Sequence, residues 1–463
     1  MHVALRHVLL PDFGAPVEQP VVPVGQIRAR FARFVSRLRA VDLQTLIVYG
    51  DREHSANISY LTGFDPRFEE ALLVIGPGGD PTIVTGPENQ GFAKAAAVEA
   101  NVVLYPPFGL LGQDRSRTPP LEDVLRTCGL SPGSAVGIIG WKYFNRQESS
   151  VPDTWFETPS YIVDAIRRIT GPTGSVVNAA SMLMHPSEGM RAVNEIEQLA
   201  AFEFAACHTS SAVRRVVTGA RPGMREFDAA RLLAPVGLPL SCHTMLSAGP
   251  RAALGLGSPG SRVIQHGDPI TVAYGVWGAL NCRAGWMVSS ASQLPDGIGD
   301  YIERLVAPYY LAVAEWHENL GLGVPGGVLA DGVARRLGDP FFGVFLNPGH
   351  LIHLDEWMNT PIYAGSTEPL KSGQAIQVDI IPATGTPYFT SNVEDGIALL
   401  DEAGRAALAE RFPDMWGRIQ HRREFMAGAL GIRLRPEVLP FSNMPAYLTP
   451  FFLSPEDAMV VQH

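Results

Sequence analysis

The side chains best suited to proton transfer fall in three short blocks of the last quarter of the chain. These are His350-Leu-Ile-His353-Leu-Asp355-Glu356-Trp357, Gln374-Ala-Ile-Gln-Val-Asp379-Ile-Ile and Asn392-Val-Glu394-Asp395-Gly396. They supply one imidazole, His350, and two carboxylates, Asp379 and Glu394, from separate segments. Imidazole titrates near neutral pH, so His350 can exchange a proton while Glu394 orients it or holds its charged form. Two like charges in one cavity are costly unless one carboxyl takes up a proton or a cation arrives. A site built on Asp379 and Glu394 therefore favours a positively charged ligand or a raised carboxyl pKa. Trp277, Trp286 and Trp357 lie in the site-forming blocks, and indole faces attract guanidinium and quaternary ammonium groups. Each of these residues also has a plainer reading. A histidine is commonly a hydrogen-bonded packing residue, and large aromatics mostly fill cores and interfaces. His353 and His243 stand behind His350 as further candidates. Cys282, beside Arg283, is either a nucleophile with a lowered pKa or, more commonly for its type, a small buried hydrophobe.

The elements that must position these groups can be read from periodicity. Short β-type runs, Leu46–Gly50, Ala71–Gly76, Pro81–Thr85, Val102–Tyr105 and Ala135–Ile139, alternate with helix-like segments such as Ile27–Ala40, which predicts a mixed α/β domain. The Thr170-Gly-Pro-Thr-Gly-Ser175 stretch marks its end. From Met190 to about Val217, Ile196, Leu199, Phe202 and Ala206 share one helical face and open a second domain. That half carries β-rich segments at 270–288, 374–381 and 388–400, with helices near 300–320 and 326–337. Asp401 before Glu402 reads as a helix N-cap. The tail from Arg433, with Phe441, Tyr447, Phe451 and Phe452, reads as an ordered arm packed on the body, because disordered tails are poor in aromatics. Glycines 249, 255, 257 and 260 are turns: no Gly-Lys-Ser/Thr follows, and no strand-GxGxxG-helix unit forms.

The order and spacing of the three C-terminal blocks resemble the pita-bread family of creatinase, prolidase, aminopeptidase P and methionine aminopeptidase. The Asn57-Ile-Ser-Tyr60-Leu-Thr-Gly63-Phe64 segment is similar to a turn in creatinase and aminopeptidase P relatives. The resemblance implies an α+β protein, with a creatinase-like mixed α/β domain over 1–180 and a pita-bread domain over 181–463. It also implies a homodimer in which the N-terminal domain of one subunit borders the neighbour's site, making Arg52, His54 and Arg67 candidate substrate contacts beside Trp357 and His353. In this resemblance His350 matches the metal-binding histidine, Asp379 stands where the family usually has a glutamate, and Glu394 matches a metal-binding glutamate.

The chain departs from the family at several positions. Where dimetal members carry two aspartates eleven positions apart on a hairpin, the Gly267–Trp286 segment has Ala273 and Ala284. Trp357 stands where the peptidases place a second histidine. No histidine occurs in Arg251–Gly257, where a substrate-binding one is expected. A two-metal hydrolase needs carboxylates that bridge and cap both ions, and alanine supplies no oxygen. The expectation is a site without a dimetal centre and without a cofactor; the alternative is one divalent ion on His350, Asp379 and Glu394.

Composition bounds the remaining classes. With 463 residues, 46% of them hydrophobic, the chain can bury large cores. A net charge of −10 without a Lys/Arg-rich run argues against nucleic acid as a partner. Cysteines 128, 207, 242 and 282 are widely spaced, and no 18-residue apolar run marks a membrane span, so a cytoplasmic location is expected. The expected activity is hydrolysis or elimination at a C–N or related bond of a small, cationic amide or guanidino compound, using His350, Glu394 and Asp379. The rivals are a single-metal Xaa-Pro peptidase and a non-catalytic protein that binds a small molecule or peptide.

Overall fold

The computed structural model describes residues 2–463. The chain divides into two compact units, Val22–Arg191 and a larger one that joins the residues up to Val21 to Ala192–His463. Residues 181–191, which the sequence reading placed with the second domain, fall in the first unit, and residues 2–21 fall in the second.

In the N-terminal unit, six strands form a mixed sheet in the order Asn101–Leu104, Pro81–Thr85, Ala71–Ile75, Thr45–Gly50, Ala135–Ile139 and Ser175–Asn178. Strands flanked by helices pair in parallel, and the central hairpin strands pair antiparallel. Val24–Arg39 is helical because Phe31, Phe34, Val35 and Leu38 recur at helical spacing and are all buried. The expected strands are present, two of them with the bounds read from the sequence.

The C-terminal unit is built on a seven-stranded antiparallel sheet. Its path runs His350–Leu351, Ala375–Asp379, Asn392–Leu399, Ala279–Trp286, Pro269–Val276 and Met245–Ala248, with Val438–Pro440 added beside Asn392–Leu399. The long helix Ile196–Gly219 packs across the Pro269–Val276 and Ala279–Trp286 hairpin. It starts six residues later than its periodicity suggested, after a 3₁₀ turn at Met190–Ala192. Asp401 caps the Glu402–Arg411 helix through the Gly404 amide at 2.8 Å. The aromatics of the tail are buried, and its last strand, Asp457–Gln462, pairs antiparallel with His2–His7. Among the described residues, no helix is long and apolar enough to cross a membrane.

Candidate active site

Cross-strand register gathers the functional side chains on one face of the C-terminal sheet. Asp379 pairs with Glu394, Glu394 with Cys282, and Cys282 with Ala273, so these four point to the same side. Two residues along the strands, Gln377 pairs with His350, and Ala284 pairs with Asn392 and Thr271, again on that face. The pleat sends the intervening residues the other way. Asp395 accepts from the Arg283 guanidinium at 2.9 and 3.0 Å and from Asn281, deep on the opposite side. The Glu394-Asp395 pair is thus split between the site and a buried ion pair, and Arg283 is turned away from Cys282.

His350 is held by backbone geometry that its neighbour makes possible. Gly349 has φ +143°, and a Cβ there would stand 2.9 Å from the Gln377 carbonyl oxygen. Only glycine fits this approach without strain. Leu351 then bonds with Asn359 and Met358, folding the intervening loop back over the histidine. Trp357 consequently stacks on the His350 ring, with centroids 4.2 Å apart and planes 16° off parallel. Trp357 keeps 36% of its surface exposed, whereas His350 has none.

Three carboxylates surround the imidazole. His350 Nε2 lies 3.4 Å from Glu356 Oε1, 3.9 Å from Asp379 Oδ2 and 4.0 Å from Glu394 Oε1. Neither Nε2 nor Asp379 Oδ1 has a hydrogen-bond partner, although both atoms are buried. Burial, and then the facing Glu394 charge, push the Asp379 carboxyl well above its usual range. Burial and the Glu356 charge do the same to Glu394, against the weak help of a Gln377 amide 3.5 Å away. Both shifts run in the direction that favours the protonated form of the pair.

The two thiols near this face are not activated. Burial and the Glu394 charge raise the Cys282 pKa well above normal, and burial with Glu356 pushes Cys242 up to about 12. Both shifts disfavour the thiolate, which weighs against a nucleophilic role for Cys282.

The remaining candidates lie elsewhere. His353 is buried with its ring edge-on to Phe202, centroids 5.2 Å apart. Trp286 packs in the core against Tyr301 and Phe389, and His243 bonds the Leu256 carbonyl. Arg52 and His54 line a cavity within the N-terminal unit, where the His54 ring stacks on Trp141 and bonds Asp51 at 3.1 Å. Arg67 lies 3.9 Å from Asp65. Glu356 was not among the sequence candidates. Its signal was present, a carboxylate six residues after His350, but its approach depends on a loop closure that periodicity does not report.

Three of these side chains could hold a metal ion. One nitrogen or oxygen from each of His350, Asp379 and Glu394 lies within 4.8 Å of the others, and no other group of three such donors occurs among the described residues. Together with the unpartnered Nε2 and Oδ1 atoms, this spacing fits one divalent ion. Ala273 and Ala284 contribute only methyl groups to the same face.

No family model matches the sequence, and no curated protein matches it. Solved structures do. The prolidase of Pyrococcus horikoshii OT3 aligns with a TM-score of 0.61 at 14% identity, covering 80% of this chain and 95% of its own. The prolidase of Thermococcus sibiricus gives 0.62 at 18% identity, covering 81% and 95%. Dipeptidase PepE of Mycobacterium ulcerans gives 0.60 at 18% identity, covering 82% and 94%. At such identities the likeness is one of fold, and this chain has the pita-bread fold of those peptidases.

Proposed function

We propose that this chain is a hydrolase that cleaves a C–N bond of a small, cationic amide or guanidino compound without a dimetal centre. The observation that carries this reading is the ring of three carboxylates around an otherwise unbonded His350 Nε2, closed on one side by Trp357. Water attacks the carbonyl or amidine carbon as His350 Nε2 takes its proton. The C–N bond then breaks, and the leaving nitrogen receives the proton held by the Asp379–Glu394 pair. Net negative charge in a buried pocket attracts the cationic substrate, and the exposed face of Trp357 supplies a wall for it. The peptidase neighbours support hydrolysis as the reaction class through their fold alone. Ala273 and Ala284, offering no oxygen, speak against a two-ion mechanism.

Replacing His350 with alanine is expected to abolish turnover while leaving the circular dichroism spectrum and most of the stability intact. Unchanged turnover by His350→Ala would remove the assignment.

A second reading, a single-metal Xaa-Pro peptidase, is favoured by the fit of His350, Asp379 and Glu394 to one ion. Such an ion would polarise a carbonyl or lower the pKa of a bound water. Elemental analysis of protein purified without chelators separates the readings: about one ion per chain supports the second. Binding of guanidino compounds without any product would instead support a non-catalytic binding role.

A further inference from the structure

A second acidic cavity lies in the N-terminal unit, built from residues that the proposed reaction does not use. It has a volume of about 400 Å³, within the range of small-molecule sites. Asp51, Glu53, Glu69 and Glu70 line it, opposed by Arg52 and the His54 ring.

Two of these carboxylates have identified partners. Asp51 Oδ1 accepts from the backbone amides of Glu53 and His54 at 2.9 and 2.7 Å and bonds the His54 ring. Glu70 Oε1 accepts from the Tyr161 hydroxyl at 3.1 Å and lies 3.1 Å from the Tyr49 hydroxyl.

Glu69 is different. Its Oε2 accepts from the backbone amides of Glu88 and Asn89 at 2.9 and 3.1 Å, while Oε1 is buried and has no partner. The residue is only 6% exposed, so the bare oxygen is a costly feature that a donor from a ligand would relieve. That oxygen sits beside Gly109, a lining residue, where an added methyl would stand 2.7 Å from it.

The rest of the lining selects the ligand. Tyr49, Phe68 and Phe108 supply aromatic rings, which suit the body of an organic cation. A bare metal ion is disfavoured, because the only three donors that converge among the described residues are those of the His350 group.

We propose that this cavity binds a small organic ammonium compound, its charged nitrogen donating to Glu69 Oε1 and its apolar part lying against the aromatic rings. The cavity is lined by residues of the N-terminal unit alone, and its occupancy does not depend on the reaction assigned to His350. The test is therefore made on the full chain carrying Glu356→Gln, Asp379→Asn and Glu394→Gln, which remove the three carboxylate charges around His350.

Calorimetric titration with benzylammonium is expected to show one equivalent bound, with the uncharged benzyl alcohol at least about tenfold weaker. Adding Glu69→Gln, which keeps an oxygen for the Glu88 and Asn89 amides, is expected to weaken benzylammonium by about tenfold. Gly109→Ala crowds the same oxygen without changing charge and is expected to weaken it likewise. Equal binding of the alcohol, Glu69→Gln within about twofold of its parent, or no binding up to about 10 mM would each overturn the proposal. If Glu69→Gln unfolds, Gly109→Ala and the comparison of the two probes decide the matter.

Discussion

Asp379 and Glu394 face each other across two antiparallel strands, and their carboxylate oxygens lie 3.9 and 4.0 Å from one imidazole nitrogen, His350 Nε2. The arrangement concentrates acidity where burial makes charge expensive. It is a place where function and stability pull apart.

Asp379→Asn should separate the two. Because both carboxyl pKa values are raised in the folded state, the native chain binds more protons than the unfolded one above the ordinary carboxyl pKa. The contribution of this pair is therefore most favourable at acid pH and falls as pH rises from the ordinary carboxyl pKa towards the folded values. The substitution removes one of the repelling charges, so the variant should melt about 2 °C above the parent at pH 8, for a gain on the order of 1 kcal/mol, with the difference vanishing near pH 4. Calorimetric melts across that range measure it, and turnover should be lost throughout.

A second buried cluster should show the opposite pH slope. Glu203 meets Arg422 at 2.8 Å and Arg418 at 2.7 Å. Burial alone would raise its pKa, but the two guanidiniums outweigh it and hold the carboxyl below its usual range. The stabilisation is present above the unfolded carboxyl pKa and is lost as pH falls through the lower folded value. Glu203→Gln leaves Arg422 buried without its counter-charge and should cost about 3–5 kcal/mol in urea unfolding at pH 7.

Trp357→Ala should act mainly on catalysis. The indole is partly exposed, so its removal should cost under about 2 kcal/mol of stability, whereas losing the stacked wall over His350 should lower kcat/KM about tenfold or more. Trp357→Phe should recover most of that loss. Steady-state kinetics beside thermal melts would show the split.

Gly349→Ala tests whether the backbone before His350 is as tightly placed as it looks. The new methyl meets the Gln377 carbonyl oxygen at 2.9 Å in a φ region that side chains avoid. A loss of about 2–3 kcal/mol is expected, with turnover falling further than stability because the imidazole shifts. A variant as stable and active as its parent would falsify the account of His350 placement.

Local pattern made much of this molecule legible. Ala135–Ile139 and Pro81–Thr85 have the bounds their apolar runs suggested, and Asp401 caps the helix it precedes, because strand period and capping chemistry act over a few residues. His350, Asp379 and Glu394 were identifiable through resemblance, and their convergence follows from strand register. What stayed hidden was non-local. Glu356 approaches His350 only because Leu351 bonds Asn359 and closes the loop. The edge-on contact of His353 with Phe202 is likewise something that neither spacing nor composition reports. The grouping of residues up to Val21 with Ala192–His463 is non-local too, since the pairing of His2–His7 with Asp457–Gln462 leaves no trace in either segment alone.

That terminal pairing bears on how the chain matures during synthesis. His2–His7 leaves the ribosome long before the strand that completes its hydrogen bonds, while Val22–Arg191 can collapse on itself in the interval. The carboxylate pocket is completed late as well, because it needs the Asn392–Leu399 strand that carries Glu394. A chain stalled before Asp457 would carry a folded Val22–Arg191 unit and a His2–His7 strand with unmet backbone hydrogen bonds, an edge of the kind that recruits stray strands.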